Sequence, residues 1–110
     1  MLIKVLQSKI RYAVITKSDF KYHGSLGLDE DLMDELGVVP WQVVNVNSID
    51  GSLRTETYLI PEKRGSGACV ARGALANFLL KGDQCHVNVY CHVSQDTAHE
   101  WEPIIIESNL

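Results

Sequence analysis

The sequence predicts a small, mainly β domain with some α+β character, closed into a barrel, on the strength of three observations. Runs rich in β-branched and aromatic residues recur along the chain, each bounded by turn residues. Asp50-Gly51 stands between two such runs and is a strong hairpin signal. The helical stretches are short and are not spaced between strands as repeated βαβ units would require. At 110 residues the chain fits one domain, 1–110.

Residues 2–7 (LIKVLQ) and 11–16 (RYAVIT) read as strands. The polar stretch 17–21 suits a turn leading into YHGSLG at 22–27, itself a bend containing Gly24-Ser25. A short helix follows over 29–37: Asp29 is a natural N-cap, early acids suit the positive end of the dipole, and Gly37 stops it. Leu32, Met33 and Leu36 give that helix one apolar side. Pro40 leads into a strand over 41–48, and after Asp50-Gly51 the return strand runs over 53–60. Alternation there puts Arg54, Glu56, Tyr58 and Ile60 on one face and Thr55, Thr57 and Leu59 on the other. A loop, 61–67, precedes a short strand over 68–71 and a small-residue helical turn over 73–80. Strands over 84–93 and 104–107 complete the chain.

A net charge of −4 argues against nucleic acid or an anionic membrane as a partner. No apolar run approaches the roughly 20 residues of a spanning helix. The start of the chain alternates like a strand instead of carrying a signal peptide's apolar region. Cys69, Cys85 and Cys91 are an odd number at no framework spacing, so free thiols in a reducing cytoplasm are expected. Cys85-His86 and Cys91-His92 resemble metal ligands, but along a strand like residues six apart lie about 20 Å from each other. Zinc requires convergence, so no metal site is predicted. The R-G-S-G segment lacks the Lys-Ser/Thr pair of a phosphate loop.

The residues left over form a set: Lys9 in LQSKI, Tyr22-x-Gly24-Ser25, Asp29-x-Asp31, Asp50-Gly51, Arg54-x-x-Thr57-Tyr58, Arg64-Gly65-Ser66, Gly73-Ala74-x-Ala76 and Gly82-Asp83. In that order and in a chain of this length, the set resembles the pyruvoyl-dependent aspartate 1-decarboxylase family, which makes β-alanine for pantothenate. The resemblance implies a double-psi β-barrel with short helices, assembled as a homotetramer with active sites between subunits. It also implies self-cleavage between Gly24 and Ser25 into 1–24 and 25–110, the serine becoming a covalent pyruvoyl group, with no metal. Glycine leaves its carbonyl open to attack, and serine supplies both nucleophile and leaving oxygen.

By the same resemblance, the pyruvoyl ketone condenses with the amine of a small amino-acid substrate and accepts the electrons that departing CO2 leaves. Tyr58 would return the proton. Arg54 would grip a carboxylate with its planar fork, and Lys9 would add positive charge. Thr57 would assist self-cleavage; it alternates to the face opposite Tyr58, which a bulge or a site between subunits would reconcile. Gly73 and Ala74 would offer backbone N–H groups to an anion. Arg72 stands where the family usually has asparagine, and Arg11-Tyr12 replaces a pair that often contains histidine. Arg72 then adds a second carboxylate clamp, alters substrate choice, or folds outward. Two other readings stay open: the same chemistry on another small α-amino acid, and an uncut, non-catalytic assembly module. Whether maturation needs a partner protein is also open.

Overall fold

The computed structural model describes residues 1–110. Eight strands form one sheet: β1 Leu2–Val14, β2 Lys17–Asp19, β3 Ser25–Asp29, β4 Val43–Ser48, β5 Arg54–Glu62, β6 Cys69–Arg72, β7 Gln84–Ser94 and β8 Ile104–Glu107. Their spatial order is β2-β6-β3-β5-β4-β7-β1-β8. Only Ile15 and Thr16 separate β1 from β2, yet the two strands stand six places apart in that order. At about 4.8 Å per step a flat sheet would hold them about 29 Å apart, whereas the three steps from Val14 to Lys17 reach only about 11 Å. The sheet must therefore roll up. At the seam the Ile15 N–H donates to the Asp83 carbonyl at 2.9 Å and the Thr16 N–H to the Cys69 carbonyl at 2.8 Å. The pairs β1–β8, β2–β6 and β3–β5 are parallel and the remainder antiparallel, so crossing connections replace a simple meander.

The mainly β class with short helices is borne out, with local corrections. Strands expected at 2–7 and 11–16 are one long β1 with register shifts between Leu6 and Ser8 and between Ile10 and Ala13. The turn expected at 17–21 contains β2, held by β6. The Ser25–Asp29 segment, read as part of a bend, is a strand buried at every position. Helix α1, Glu30–Leu36, has the expected ends: the Asp29 carboxylate accepts from the Asp31 N–H at 2.9 Å, and Gly37 is left-handed at φ 71°. A second helix, α2, Gln95–His99, was not foreseen. The turn at 73–80 is a 3-10 helix over Gly73–Asn77. No helix is long and apolar enough to cross a membrane.

The barrel interior is filled by Ile10, Leu26, Leu28, Val46, Leu59, Val87 and Val89, closed at one end by Met33 and Leu36 of α1. The Arg64-Gly65-Ser66 segment serves this architecture. Asp29 accepts the Gly65 and Gly67 N–H groups at 3.1 and 2.9 Å, and the Arg64 guanidinium bridges Glu30, Asp31 and Asp34 at 2.7–2.8 Å. Burial pushes the Asp29 carboxyl up, but those N–H donors and Arg64 outweigh it and hold its pKa below the ordinary value.

Candidate active site

Ser25 is the first residue of β3, and Gly24 before it sits at φ 98°, a conformation that favours glycine. Ser25 is only 4% exposed. It is the register partner of Arg72 on β6, while Leu26 pairs with Ala71 on one side and Leu59 on the other. Pairing of β3 with β5 therefore begins at Leu59, and the stretch of β5 from Arg54 to Tyr58 has β4 on one edge and no strand on the other. The gap so left is a cavity of about 280 Å³ lined by Gly24, Ser25, Thr57, Tyr58, Arg72 and Ala74. Because it runs along a free strand edge, residues of both alternations border it. Thr57, opposite core residue Val44, thus reaches the same cavity as Tyr58, opposite exposed Val43.

The bend is shaped by Gly73, which follows Arg72 at φ 63°. A Cβ there would stand 2.6 Å from both the Gly24 Cα and the Tyr22 carbonyl oxygen, and closer still to the Gly24 nitrogen. The backbone of the 3-10 turn is thus pressed against the residue whose carbonyl is in question. Sequence reasoning assigned Gly73 to anion binding; its contact in the fold is with Gly24.

Tyr58 stacks on Trp41, ring centroids 5.5 Å apart and planes inclined by 26°. Trp41 is an unexpected participant. It lies 69% exposed in the left-handed region at φ 72°, where two residues, Trp41 and Gln42, oppose Leu59. The Trp41 N–H donates to the Leu59 carbonyl at 2.8 Å, and the Leu59 N–H to the Gln42 carbonyl at 3.1 Å. A bulge of this kind usually takes glycine at the left-handed position. Holding a tryptophan there costs roughly 1–3 kcal/mol. Trp41, Tyr58, Ser25 and Arg72 also line a second groove, of about 500 Å³.

Arg72 does not fold outward. Its side chain is 13% exposed, its Nη2 donates to the Glu62 Oε2 at 2.9 Å, and its guanidinium lies 4.2 Å over the Tyr22 ring.

Arg54 and Lys9 are placed differently. Arg54 shares the outer face with Tyr58, as alternation predicts, but four residues away, about 13 Å along the strand. It lines a separate groove with Lys4, Asn45, Tyr90 and His92. Lys9 lies opposite Asn88 on β7 and Ile105 on β8. Neither lines the cavity or groove at Ser25 within one chain. Near Lys9, the Tyr12 N–H donates to the His86 Nδ1 at 3.2 Å. Burial, then the charges of Lys9 and Arg11, hold the His86 pKa below its ordinary value.

Comparison with known proteins places the chain in a family. The chain matches the aspartate decarboxylase family over residues 1–109. It is 38% identical over 107 residues to the aspartate 1-decarboxylase of Leptospira biflexa, covering 96% of this chain and 91% of that protein. Identity is 34% over 106 residues with the aspartate 1-decarboxylase of Clostridium botulinum (96% and 84%). It is 32% over 109 residues with that of Clostridium beijerinckii (99% and 88%). Among solved structures, the computationally designed msDPBB_sym2 protein gives a TM-score of 0.45 at 17% identity, covering 81% of this chain and all of that one. Matched almost from end to end, the chain belongs to the aspartate decarboxylase family.

Proposed function

We propose that the chain is an aspartate 1-decarboxylase that converts L-aspartate to β-alanine and CO2, on a pyruvoyl group made from its own Ser25. One observation carries this reading beyond family membership: the Gly24–Ser25 bond lies at a left-handed glycine, beside an enclosed serine, in a cavity shared with Thr57 and Tyr58. In the precursor the Ser25 hydroxyl attacks the Gly24 carbonyl carbon, and the C–N bond breaks to leave an ester. Thr57 polarises that carbonyl. Elimination then releases Gly24 as a carboxylate and leaves a dehydroalanine at residue 25. Water enters, ammonia leaves, and the new end carries the pyruvoyl ketone.

The cavity suits that group. Pairing of Leu26 with both Ala71 and Leu59 keeps the new end of the 25–110 fragment anchored after the cut. The ketone supplies an electrophile for the substrate amine and a sink for the electrons left by CO2. Tyr58 delivers the proton that replaces CO2, its ring held by Trp41. Arg54 and Lys9 lie outside the cavity and groove at Ser25 in one chain, which supports a homotetramer in which a neighbouring protomer brings them to the substrate carboxylate. Ala74 at the cavity wall completes the substrate's surroundings. Three free cysteines fit work in a reducing cytoplasm.

The test is a turnover panel. Aspartate is expected to be consumed fastest among small α-amino acids, with β-alanine as product, and the Ser25→Ala protein is expected to be inert. Faster turnover of glutamate or alanine would transfer the same mechanism to another substrate. No turnover of any amino acid by a fully cleaved protein would overturn the assignment.

A further inference from the structure

We propose that Glu62 and Arg72 form a positioning pair for the Gly24–Ser25 bond, a proposal that rests on the self-cleavage reading above. Gly27 is the first indication. It lies within β3 and has no positive φ, so backbone freedom does not explain a glycine there. A Cβ at Gly27 would stand 2.8 Å from the Glu62 carboxyl carbon and closer to its Oε2, so a larger residue would displace the Glu62 carboxylate. The Glu62 side chain therefore lies directly over the Gly27 backbone, across the parallel β3–β5 pair. From there its carboxylate holds Arg72 at 2.9 Å, both side chains largely enclosed at 20% and 13% exposure.

Arg72 in turn holds both sides of the bond. Its backbone is the register partner of Ser25, immediately after the bond. Its guanidinium covers the ring of Tyr22, two residues before Gly24, at 4.2 Å. Tyr22 is otherwise 55% exposed, so this grip and the close approach of Gly73 to its carbonyl are its main restraints. The Arg72 Nε is buried and without a partner, an uncommitted donor in a side chain that lines the cavity. A planar guanidinium fixed by a carboxylate is rigid in a way a free arginine is not. Glu62 thus acts through Arg72, and Arg72 keeps Tyr22-His23-Gly24 in register with Ser25. This also gives Arg72 a task other than clamping a substrate carboxylate: one arm of its fork is already occupied.

The experiment follows conversion of freshly purified full-length precursor into fragments by intact-mass measurement, alongside its melting temperature. Glu62→Gln and Tyr22→Leu are each expected to slow cleavage by roughly tenfold to a hundredfold, the scale of a misplaced reacting group. Because both act through one device, the double variant is expected to be no slower than the slower single. Arg64→Ala, which removes exposed ion pairs at α1, tests whether general loosening is enough; its rate is expected to stay within about twofold of the unmodified protein. Glu62→Gln cleaving at the unmodified rate would overturn the proposal, as would single effects that multiply or an equal slowing by Arg64→Ala. Should Glu62→Gln fail to fold, Tyr22→Leu alone decides, since its ring is largely outside the core. An unmodified chain that never cleaves, even with cell extract added, would instead overturn the self-cleavage reading itself.

Discussion

Replacing Gly73 by alanine tests whether the 3-10 turn shapes the bend at the scissile bond. Two costs add. The residue sits at φ 63°, and an L side chain in the left-handed region costs roughly 1–2 kcal/mol. The new methyl would also overlap the backbone of Gly24 and the Tyr22 carbonyl, and overpacking of that kind typically costs about 1–3 kcal/mol. The sum is roughly 2–5 kcal/mol. Gly82→Ala is the matched control: φ is 93° there, but nothing lies within 4 Å of the added methyl, so only the conformational cost remains. Urea unfolding in a Ser25→Ala background, where every molecule is the same uncut chain, gives both values with slopes that are expected to agree. The Gly73→Ala protein with its serine intact is also expected to cleave at least roughly tenfold more slowly, because Gly24 must move. If the two substitutions cost the same within about 0.5 kcal/mol, and cleavage keeps its rate, Gly73 does not shape the bond.

Three further outcomes follow from the site. Tyr58→Phe is expected to leave cleavage intact while lowering kcat by about 10²–10⁴-fold; turnover within tenfold of the original would remove Tyr58 as proton donor. Trp41→Gly relieves roughly 1–3 kcal/mol of backbone strain and loses a stack worth about 0.5–1.5 kcal/mol. The variant is thus expected to change by about −0.5 to +2.5 kcal/mol in denaturant while turnover falls, and a loss clearly larger than about 0.5 kcal/mol would refute the strain argument. His86 has a folded pKa below its ordinary 6.5, so the unfolded chain takes up the proton first as pH falls. Its contribution is complete above about pH 6.5 and is lost below it as pH falls toward the folded value, a slope that His86→Gln is expected to flatten in pH-dependent melting.

What was legible in the sequence is what local chemistry fixes. Helix α1 announced itself through Asp29, its acidic first turn and Gly37, and the hairpin between β4 and β5 through Asp50-Gly51. Strand β7 was visible because Cys85, Val87 and Val89 face the core in alternation. Strand β3 was not, because it is buried at all five positions and so shows no period, and it carries Gly27. Strand β2 is three polar residues whose pairing with β6 depends on a segment some fifty residues away. Helix α2 buries no residue, so no apolar stripe marks it. At the site, Ser25, Thr57 and Tyr58 were found through resemblance, and the fold brings them together. Trp41 and Glu62 were missed for a common reason: the positive φ of one and the Arg72 contact of the other are products of tertiary packing. Arg54 and Lys9 were named from the family pattern, and the fold of one chain leaves both outside the Ser25 cavity.

The central claim is that this chain makes its own catalytic group at residue 25. Intact-mass measurement of the purified protein after warm incubation tests it most directly, because cleavage and the chemistry of the new end are read together. Two fragments are predicted, 1–24 ending in a free glycine carboxylate and 25–110 beginning with a pyruvoyl group in place of serine. The Ser25→Ala protein is predicted to remain whole. A single uncut chain, even in the presence of cell extract that would supply a maturation partner, or a 25–110 fragment that still begins with serine, would contradict the account.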